Sequence, residues 1–442
     1  MFDRTYYLNE LVDKENNGLV KVITGIRRCG KSFLLNNIFY NYLISIQNVK
    51  PDHIIRYAFD NEEDISLLDE LLVEQPTLKT QNGQKVINNR KFMTYIKSKM
   101  TEEGIYYLIL DEIRNLEEFV RVLNSFIYKG NCDVYVTVSN SRFLSSEVDT
   151  EFGGRADRIH LLPLTFSEYL TGTNLEKRDA LNEYLRYGGI PLVQNQMNDE
   201  RKNNKAISIL KETYIKDLEL RHSTANIENL EETLKVISSM IGAPINPTRV
   251  ENTFNSVYRT KLSRNTITNY INRFDEAYLI NKVFWYDIKG RSYIGTPYKI
   301  YFEDIGIRNA ILNFREIDET DLIENIVYNE LRYRGFNVDI GVVKIHVNSG
   351  KMDKNNKPIY IEKDTEVDFV ANKAGKTYYV QVALEINNEK KKEQEYLSIR
   401  NIPDSFKKVI IVKNEGKHFY TNEGFLRISL IDFLMNINSL DW

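Results

Sequence analysis

The chain has 442 residues, 42 % hydrophobic and 27 % charged, which is too long for one ordinary core and predicts a globular protein of two to four domains. A net charge of −3 excludes a uniformly basic nucleic-acid protein but leaves a locally basic face to be sought domain by domain. Only two cysteines, Cys29 and Cys132, no secretory leader in MFDRTYYLNELVDKENNG, and no apolar run near the roughly 18 residues of a spanning helix predict a cytoplasmic protein with no membrane insertion.

From residue 1 to 172, strand-sized apolar runs alternate with amphipathic segments: LVKVIT (19–24), HIIRYAFD (53–60), IYYLILD (105–111) and CDVYVTVS (132–139). That alternation predicts a parallel sheet with helices on both faces. The first run leads into Gly25, Ile26, Arg27, Arg28, Cys29, Gly30, Lys31 and Ser32, then Phe33 and a helical segment, which places G-x-x-x-x-G-K-[ST] in its strand, loop and helix context. The ligands implied are ATP and Mg²⁺. Glycines let backbone N–H groups wrap phosphates, Lys31 reaches the β and γ phosphates, and the Ser32 hydroxyl holds the metal. Arg27 and Arg28 fill variable positions where backbone contacts phosphate, so their side chains are expected to face an adjoining domain or subunit. The third run ends in Asp111, placed to hold Mg²⁺ through water, and Glu112, placed to orient the attacking water; the alternative is a helix cap. Two adjacent acids favour an ATPase over a kinase. The fourth run ends in Ser139-Asn140-Ser141, where the Asn140 amide suits the γ phosphate or the lytic water. Arg155 in EFGGRADRI is the candidate arginine finger, in cis or across a subunit boundary, with Arg158 second and an ordinary surface arginine the alternative.

Residues 173–245 read as a helical lid or connector, from the spacing in RDALNEYLRYGGIP and NIENLEETLKVISSMIG. Residues 246–315 read as a winged-helix module: Asn246 and Ser263 cap successive helices, and a hairpin follows. Between 246 and 301 there are nine Lys or Arg against four acids, a local +5. Arg264, Asn265, Asn269 and Arg273 on the second helix, with Lys289 and Arg291 at the hairpin tip, are the residue types that read base edges and phosphates of duplex DNA. The alternative is a module used for protein packing. From 316 to 442 a helix near DLIENIVYNELRYRGF precedes the strands NVDIGVVKIHVN, EVDFVA, TYYVQVAL and KKVIIVKN, and lysine-rich SGKMDKNNKP reads as a hairpin tip.

Taken together, GIRRCGKS, LDEI, VSNSRFLSSEV, GGRADRIHLLPLTFSEYL and YLRYGGIPLV resemble a family of prokaryotic AAA-type P-loop ATPases, over essentially the whole chain. Members pair an N-terminal ATPase domain with a C-terminal domain of unknown function and restriction-endonuclease-like appearance. The resemblance implies an α/β protein with an AAA+/STAND-like core, and places Gly188-Gly189-Ile190-Pro191 in the lid, where nucleotide state is coupled to domain position; Gly-Gly-x-Pro as a simple helix terminator is the alternative. Arg114 stands where the family has Gln, and Val138 where it has Gly, so slow turnover of bound ATP is expected. A PD-(D/E)XK-like site needs an Asp at one strand end and E/Q-x-K on the next strand. Asp368 answers the first requirement, but Gln381-Val382-Ala383 lacks the lysine. Glu324 or Glu330 could add a carboxylate, and the expectation is a degenerate, noncatalytic fold. The chain is thus expected to be an oligomeric, nucleotide-dependent switch or motor acting on DNA or a DNA-associated partner. The alternatives are a nucleotide-gated scaffold for an unknown protein in defence or signalling, and an ATP-regulated nuclease.

Overall fold

The computed structural model describes residues 2–81, 84–138, 152–216, 218, 226–258, 262–315, 318–352, 358–386, 388–414 and 416–442. They form two compact units, one of residues 2–163 with 276–278, the other of 164–275 with 279–442. No helix among the described residues is long and apolar enough to cross a membrane.

In the first unit, β1 (Val20–Thr24), β2 (Ile54–Ala58), β5 (Tyr106–Asp111), β6 (Cys132–Thr137) and β7 (Ala156–His160) form a parallel sheet in the order β2-β5-β6-β1-β7. Strands β1 and β5 are buried along their whole length, as a sheet covered on both faces requires, which is why they read as unbroken apolar runs. The exception proves well provided for: Lys21, fully buried in β1, pairs with Asp133 and lies 5.0 Å over the Tyr135 ring. A small hairpin of β3 (Leu78–Gln81) and β4 (Gln84–Ile87) stands apart from this sheet. Helices Asn89–Lys99, capped by Asn88, and Phe119–Tyr128 turn Phe92, Ile96, Leu123 and Phe126 into one core with Leu108, Leu110 and Val136.

Residues expected as lid, winged-helix module and nuclease-like domain share the second unit. Its sheet runs β14-β15-β13-β12-β11-β10-β8-β9, built of β8 (Ile280–Asp287), β9 (Ser292–Phe302), β10 (Asn337–Met352), β11 (Pro358–Lys373), β12 (Lys376–Ala383), β13 (Lys407–Val412), β14 (Phe419–Tyr420) and β15 (Leu426–Ser429). The hairpin expected as a wing is therefore an edge of the C-terminal sheet, joined to it by parallel pairing of Trp285–Asp287 with Ile340–Val342. Helix Lys177–Tyr187 ends at Gly188, whose φ of 69° suits glycine. A Cβ there would lie 2.4 Å from the Asp304 carboxylate, and one on Gly189 would lie 2.2 Å from the Leu164 carbonyl, so both glycines are fixed by close approach. Asp304 accepts the Gly189 N–H (2.6 Å) and the Ile307 N–H (2.9 Å), locking the Gly-Gly-Ile-Pro turn to the start of helix Ile305–Ile311.

Candidate nucleotide site

The loop after β1 is shaped by two glycines for different reasons. Gly25 (φ 140°) would drive a Cβ to 2.2 Å from the Leu161 carbonyl oxygen, whereas Gly30 (φ 108°) faces open space and is fixed by its backbone angle alone. That open space is the mouth of the loop. Arg28 also takes a left-handed angle, φ 68°, at a cost of about 1–2 kcal/mol, and is exposed. Ile26 and Cys29 are buried beneath the loop; Cys29 offers its carbonyl to the Arg4 guanidinium at 2.9 Å. Arg4 is a support that sequence reasoning missed, because it lies 25 residues away. Lys31 is 7 % exposed and its ammonium donates to the Gly25 (2.9 Å) and Ile26 (3.1 Å) carbonyls, while Ser32 and Phe33 are exposed next to it. The helix they begin runs through a wider π turn, Leu34–Phe39, to Tyr40–Ser45.

The acidic half of the site comes from β5, two strands away with β6 between. Strand spacing puts Asp111 about 10 Å from the end of β1, room for a phosphate and an ion. Asp111 is buried and takes the Thr137 hydroxyl at the end of β6, and the same Thr137 oxygen accepts the Glu112 N–H at 2.9 Å. Thr137 thus orients both acids, and Glu112 sits at a left-handed φ of 52°. Beyond β2, partial burial and the charge of Asp111 push the Asp60 carboxyl up, with Arg27 and Arg28 pulling it back, so a third acid stands near the pair. An ammonium, an exposed hydroxyl, helix-start N–H groups, a buried Asp111 and a half-buried Glu112 fit a triphosphate with a divalent ion. The open face at Gly30 leaves room for it.

Other expected members are placed differently. Asn140, with Ser139 and Ser141, lies outside the described residues. Arg155 is exposed, and its carbonyl receives the Val20 N–H at 3.0 Å. Since Val20 pairs with Ala156 and Thr24 with His160, Arg155 stands at the opposite end of β1 from the loop, about 17 Å away along the strand. That end of the strand is remote from a nucleotide held at its own loop. Arg158 pairs with Val22 in mid-strand. Val138 is 1 % exposed in the sheet core, packed with the apolar cluster that includes Leu110 and Phe152. Arg114 lies in the short turn Ile113–Asn115 that follows the acids.

In the second unit, helix Arg264–Glu276 buries Ile267, Tyr270, Ile271 and Phe274. Asn265, Asn269 and Arg273, four residues apart, share the opposite side, with Arg264, Asn265 and Asn269 exposed. Helix Pro247–Thr253 precedes it, capped by the Asn246 side chain on Thr248 N–H (2.9 Å), and Ile245 bridges to Tyr298 of β9. Lys289 and Arg291 are exposed at the β8–β9 tip, Arg291 with φ 50°, while Ile288 between them and β8 is buried with Val343, Ile345 and Tyr379.

The expected carboxylates of the C-terminal part separate. Glu324 of helix Glu319–Tyr333 joins Asp368 and, unforeseen, Glu366 in a cluster whose ligand oxygens lie within 4.8 Å of one another. Lys299 of β9 sits among them, 2.8 Å from Glu324 and ion-paired with Glu366; the Tyr301 hydroxyl also donates to Glu324. Burial, then Glu324, pushes the Asp368 carboxyl well above the usual range, against Lys299 and the Val382 N–H at 2.7 Å. Gln381 lies across from Asp368, one residue beyond the Phe369–Val380 pair, but its amide contacts Ser398 and Glu395. Glu330 is elsewhere. It bonds Arg334 at 2.8 Å, and burial pushes its carboxyl up to about 7 with Arg334 pulling it back. Six residues from Glu324, it points to a different side of the helix and is structural.

An AAA domain model matches residues 17–170, and a model for a domain of unknown function, DUF8612, matches residues 178–318. An uncharacterized protein of Haemophilus influenzae is 30 % identical over 445 residues, covering 98 % of this chain and 99 % of that protein. One from Methanocaldococcus jannaschii is 28 % identical over 430 residues, covering 93 % and 85 %. Among solved structures, the Aeropyrum pernix ORC1 protein in complex with DNA overlays at a TM-score of 0.30 with 12 % identity, covering 70 % of this chain and 92 % of that one. The ORC2 protein of the same organism overlays at 0.29 with 14 % identity, covering 63 % and 84 %. With the AAA match lying over the phosphate loop and its acid pair, the chain belongs to the family of the Haemophilus influenzae protein, P-loop ATPases with an AAA domain followed by a domain of unknown function.

Proposed function

We propose that this nucleotide-binding ATPase is a switch in which MgATP, held at the loop of residues 25–33, governs engagement of duplex DNA by the second unit. The observation that carries the reading is the conjunction of Lys31, exposed Ser32 and the Thr137-held pair Asp111 and Glu112. In this proposal the loop N–H groups and Lys31 bind the phosphates, Ser32 and Asp111 hold the ion, and Glu112 holds the attacking water. Mg²⁺ supplies neutralisation of the charge that develops on the phosphoryl oxygens. Arg155 acts from a neighbouring copy in a homo-oligomer, consistent with its exposure and its distance from its own loop. Arg114 beside the acids keeps turnover slow, and steady-state phosphate release at about 1 s⁻¹ or faster would refute that part.

For DNA, the reading treats the helix Arg264–Glu276 and the Lys289–Arg291 tip as a winged-helix surface, supported by the cap at Asn246, the Ile245–Tyr298 bridge and the exposed polar stripe. The C-terminal sheet serves as its noncatalytic platform. Replacing Arg264, Arg273, Lys289 and Arg291 together by Ala should abolish duplex binding and leave ATP affinity unchanged. Unchanged DNA binding would favour the protein scaffold instead.

A further inference from the structure

Three residues of the first unit come from far along the chain. Glu276, Ala277 and Tyr278 group with residues 2–163, while Asp275 before them and Leu279 after them group with the second unit. Helix Arg264–Glu276 ends in this turn, and β8 begins two residues beyond it at Ile280. Tyr278 is 4 % exposed and takes a left-handed φ of 57°, strained for a bulky side chain and kept only where the surroundings impose it. Next along, the Leu279 N–H closes the helix on the Phe274 carbonyl at 3.0 Å. The Tyr278 ring lies against the His160 ring at the end of β7, with centroids 4.8 Å apart. His160 is tied in turn to the residue before the phosphate loop, its Nδ1 being 3.1 Å from the Thr24 hydroxyl, a hydrogen bond. Leu161 fastens the same junction twice. Its N–H goes to the Thr24 carbonyl at 2.8 Å, and its own carbonyl comes so near Gly25 that a Cβ there would lie at 2.2 Å. Close-packed contacts transmit displacement, so a shift of Gly25 as the loop closes on phosphates has to move residues 160 and 161 with it. Moving His160 moves the surface on which Tyr278 rests.

We propose that His160 is a positioning residue that carries the nucleotide state of the loop, through Tyr278, to the turn joining helix Arg264–Glu276 to β8. The proposal rests on the reading that MgATP at residues 25–33 governs engagement of DNA, and it names the residue through which that control passes. The hydrogen bond to Thr24 keeps the imidazole in step with the loop, and the ring contact hands the movement to Tyr278. His160 is not a catalytic residue, because it acts through Thr24 and Tyr278 and not on the phosphates.

The test follows amide hydrogen exchange of residues 274–280 in the full-length protein, without and with saturating MgATP, beside ATP affinity by calorimetry and duplex binding by anisotropy. In the wild type, MgATP should change exchange in this turn by about fivefold or more, the low end of ordinary coupling between sites. His160→Ala should remove that change while ATP affinity stays within about threefold of the wild type. His160→Asn, whose amide reaches Thr24 but offers Tyr278 no ring, should remove it too, whereas Tyr278→Phe, which keeps the ring contact, should respond as the wild type does. Tyr278→Gly relieves the left-handed angle, removes the ring and should abolish the response, a second route where His160→Ala folds poorly. A purely structural role would lower the melting temperature and leave the response to MgATP in place. A response that persists in His160→Ala and Tyr278→Gly, or one missing from a wild type that binds MgATP, would overturn the proposal. Duplex affinity indifferent to MgATP, in a wild type whose turn responds through His160, would support this link and defeat the switch reading instead. A wild type that binds no MgATP would overturn both.

Discussion

Replacing Lys299 by Met probes whether the C-terminal carboxylates depend on this ammonium. Lys299 is 3 % exposed; burial alone would push its ammonium down, yet Glu324, Glu366 and Asp368 raise it well above the ordinary lysine range. At 2.8 Å and an effective dielectric constant near 20, the contact with Glu324 is worth about 6 kcal/mol before desolvation, and burying the ammonium consumes several kcal/mol of that. Removing one partner of a buried ion pair while leaving the others costs about 3–5 kcal/mol, which for a domain of this size lowers the Tm by about 10 °C. The stranded carboxylates then relax by taking up protons. Their pKa values in the folded variant lie above their unfolded values, so the variant gains stability as pH falls through the folded values and loses it as pH rises. Thermal melts of Lys299→Met at pH 7 and pH 5.5, beside a double variant that also carries Glu324→Gln, check this. The single variant should recover part of its loss at the lower pH and the double variant part of it at pH 7. A Lys299→Met protein as stable as the wild type at pH 7 would refute the reasoning, because two buried acids and a half-buried third would then need no cation.

Lys31→Ala should weaken ATP binding by at least about tenfold in calorimetry, with little loss of stability, since the ammonium otherwise reaches only two loop carbonyls. Thr137→Val removes the hydroxyl that serves Asp111 and the Glu112 N–H, and should cost about 2–4 kcal/mol in chemical denaturation together with Mg²⁺-dependent nucleotide affinity. Gly188→Ala should destabilise by about 4 kcal/mol or more, read as loss of soluble protein, because the new methyl meets Asp304 and the Gly306 nitrogen at 2.4 and 2.5 Å at a left-handed φ. Burial pushes the Asp304 carboxyl up to about 6 against backbone N–H groups that pull it down. The folded state therefore holds this proton more tightly than the unfolded state, and its contribution, about 3 kcal/mol, is present at low pH and lost as pH rises from about 4 to 6; the difference between wild type and Asp304→Asn across that range measures it.

What the sequence disclosed depended on how local each constraint is. The phosphate loop was legible because Gly25, Gly30, Lys31 and Ser32 sit within eight residues, and Asp111 because an acid ending a fully apolar run has few structural reasons to be there. Thr137 carried a weaker version of the same signal, as a hydroxyl closing CDVYVT. Its meaning follows only once β6 is known to separate β1 from β5, a matter of strand order that no periodicity encodes. Arg155 was legible as a residue type only: a Gly-Gly-Arg turn before a strand suits a finger, but its place at the end of β1 away from its own loop follows from register alone. In the C-terminal part, Glu366 was readable, being two residues before Asp368 and hence on the same strand face. Lys299 was not, since it arrives from β9 of the hairpin, which looked like the wing of a separate module. The pairing of β8 with β10 makes one sheet of the two and delivers a cation to the carboxylates. The lysine absent at Ala383 is thus matched, in charge though not in position, by one from the β8–β9 hairpin, and Lys299→Met, by removing that cation, tests how far the two parts depend on each other.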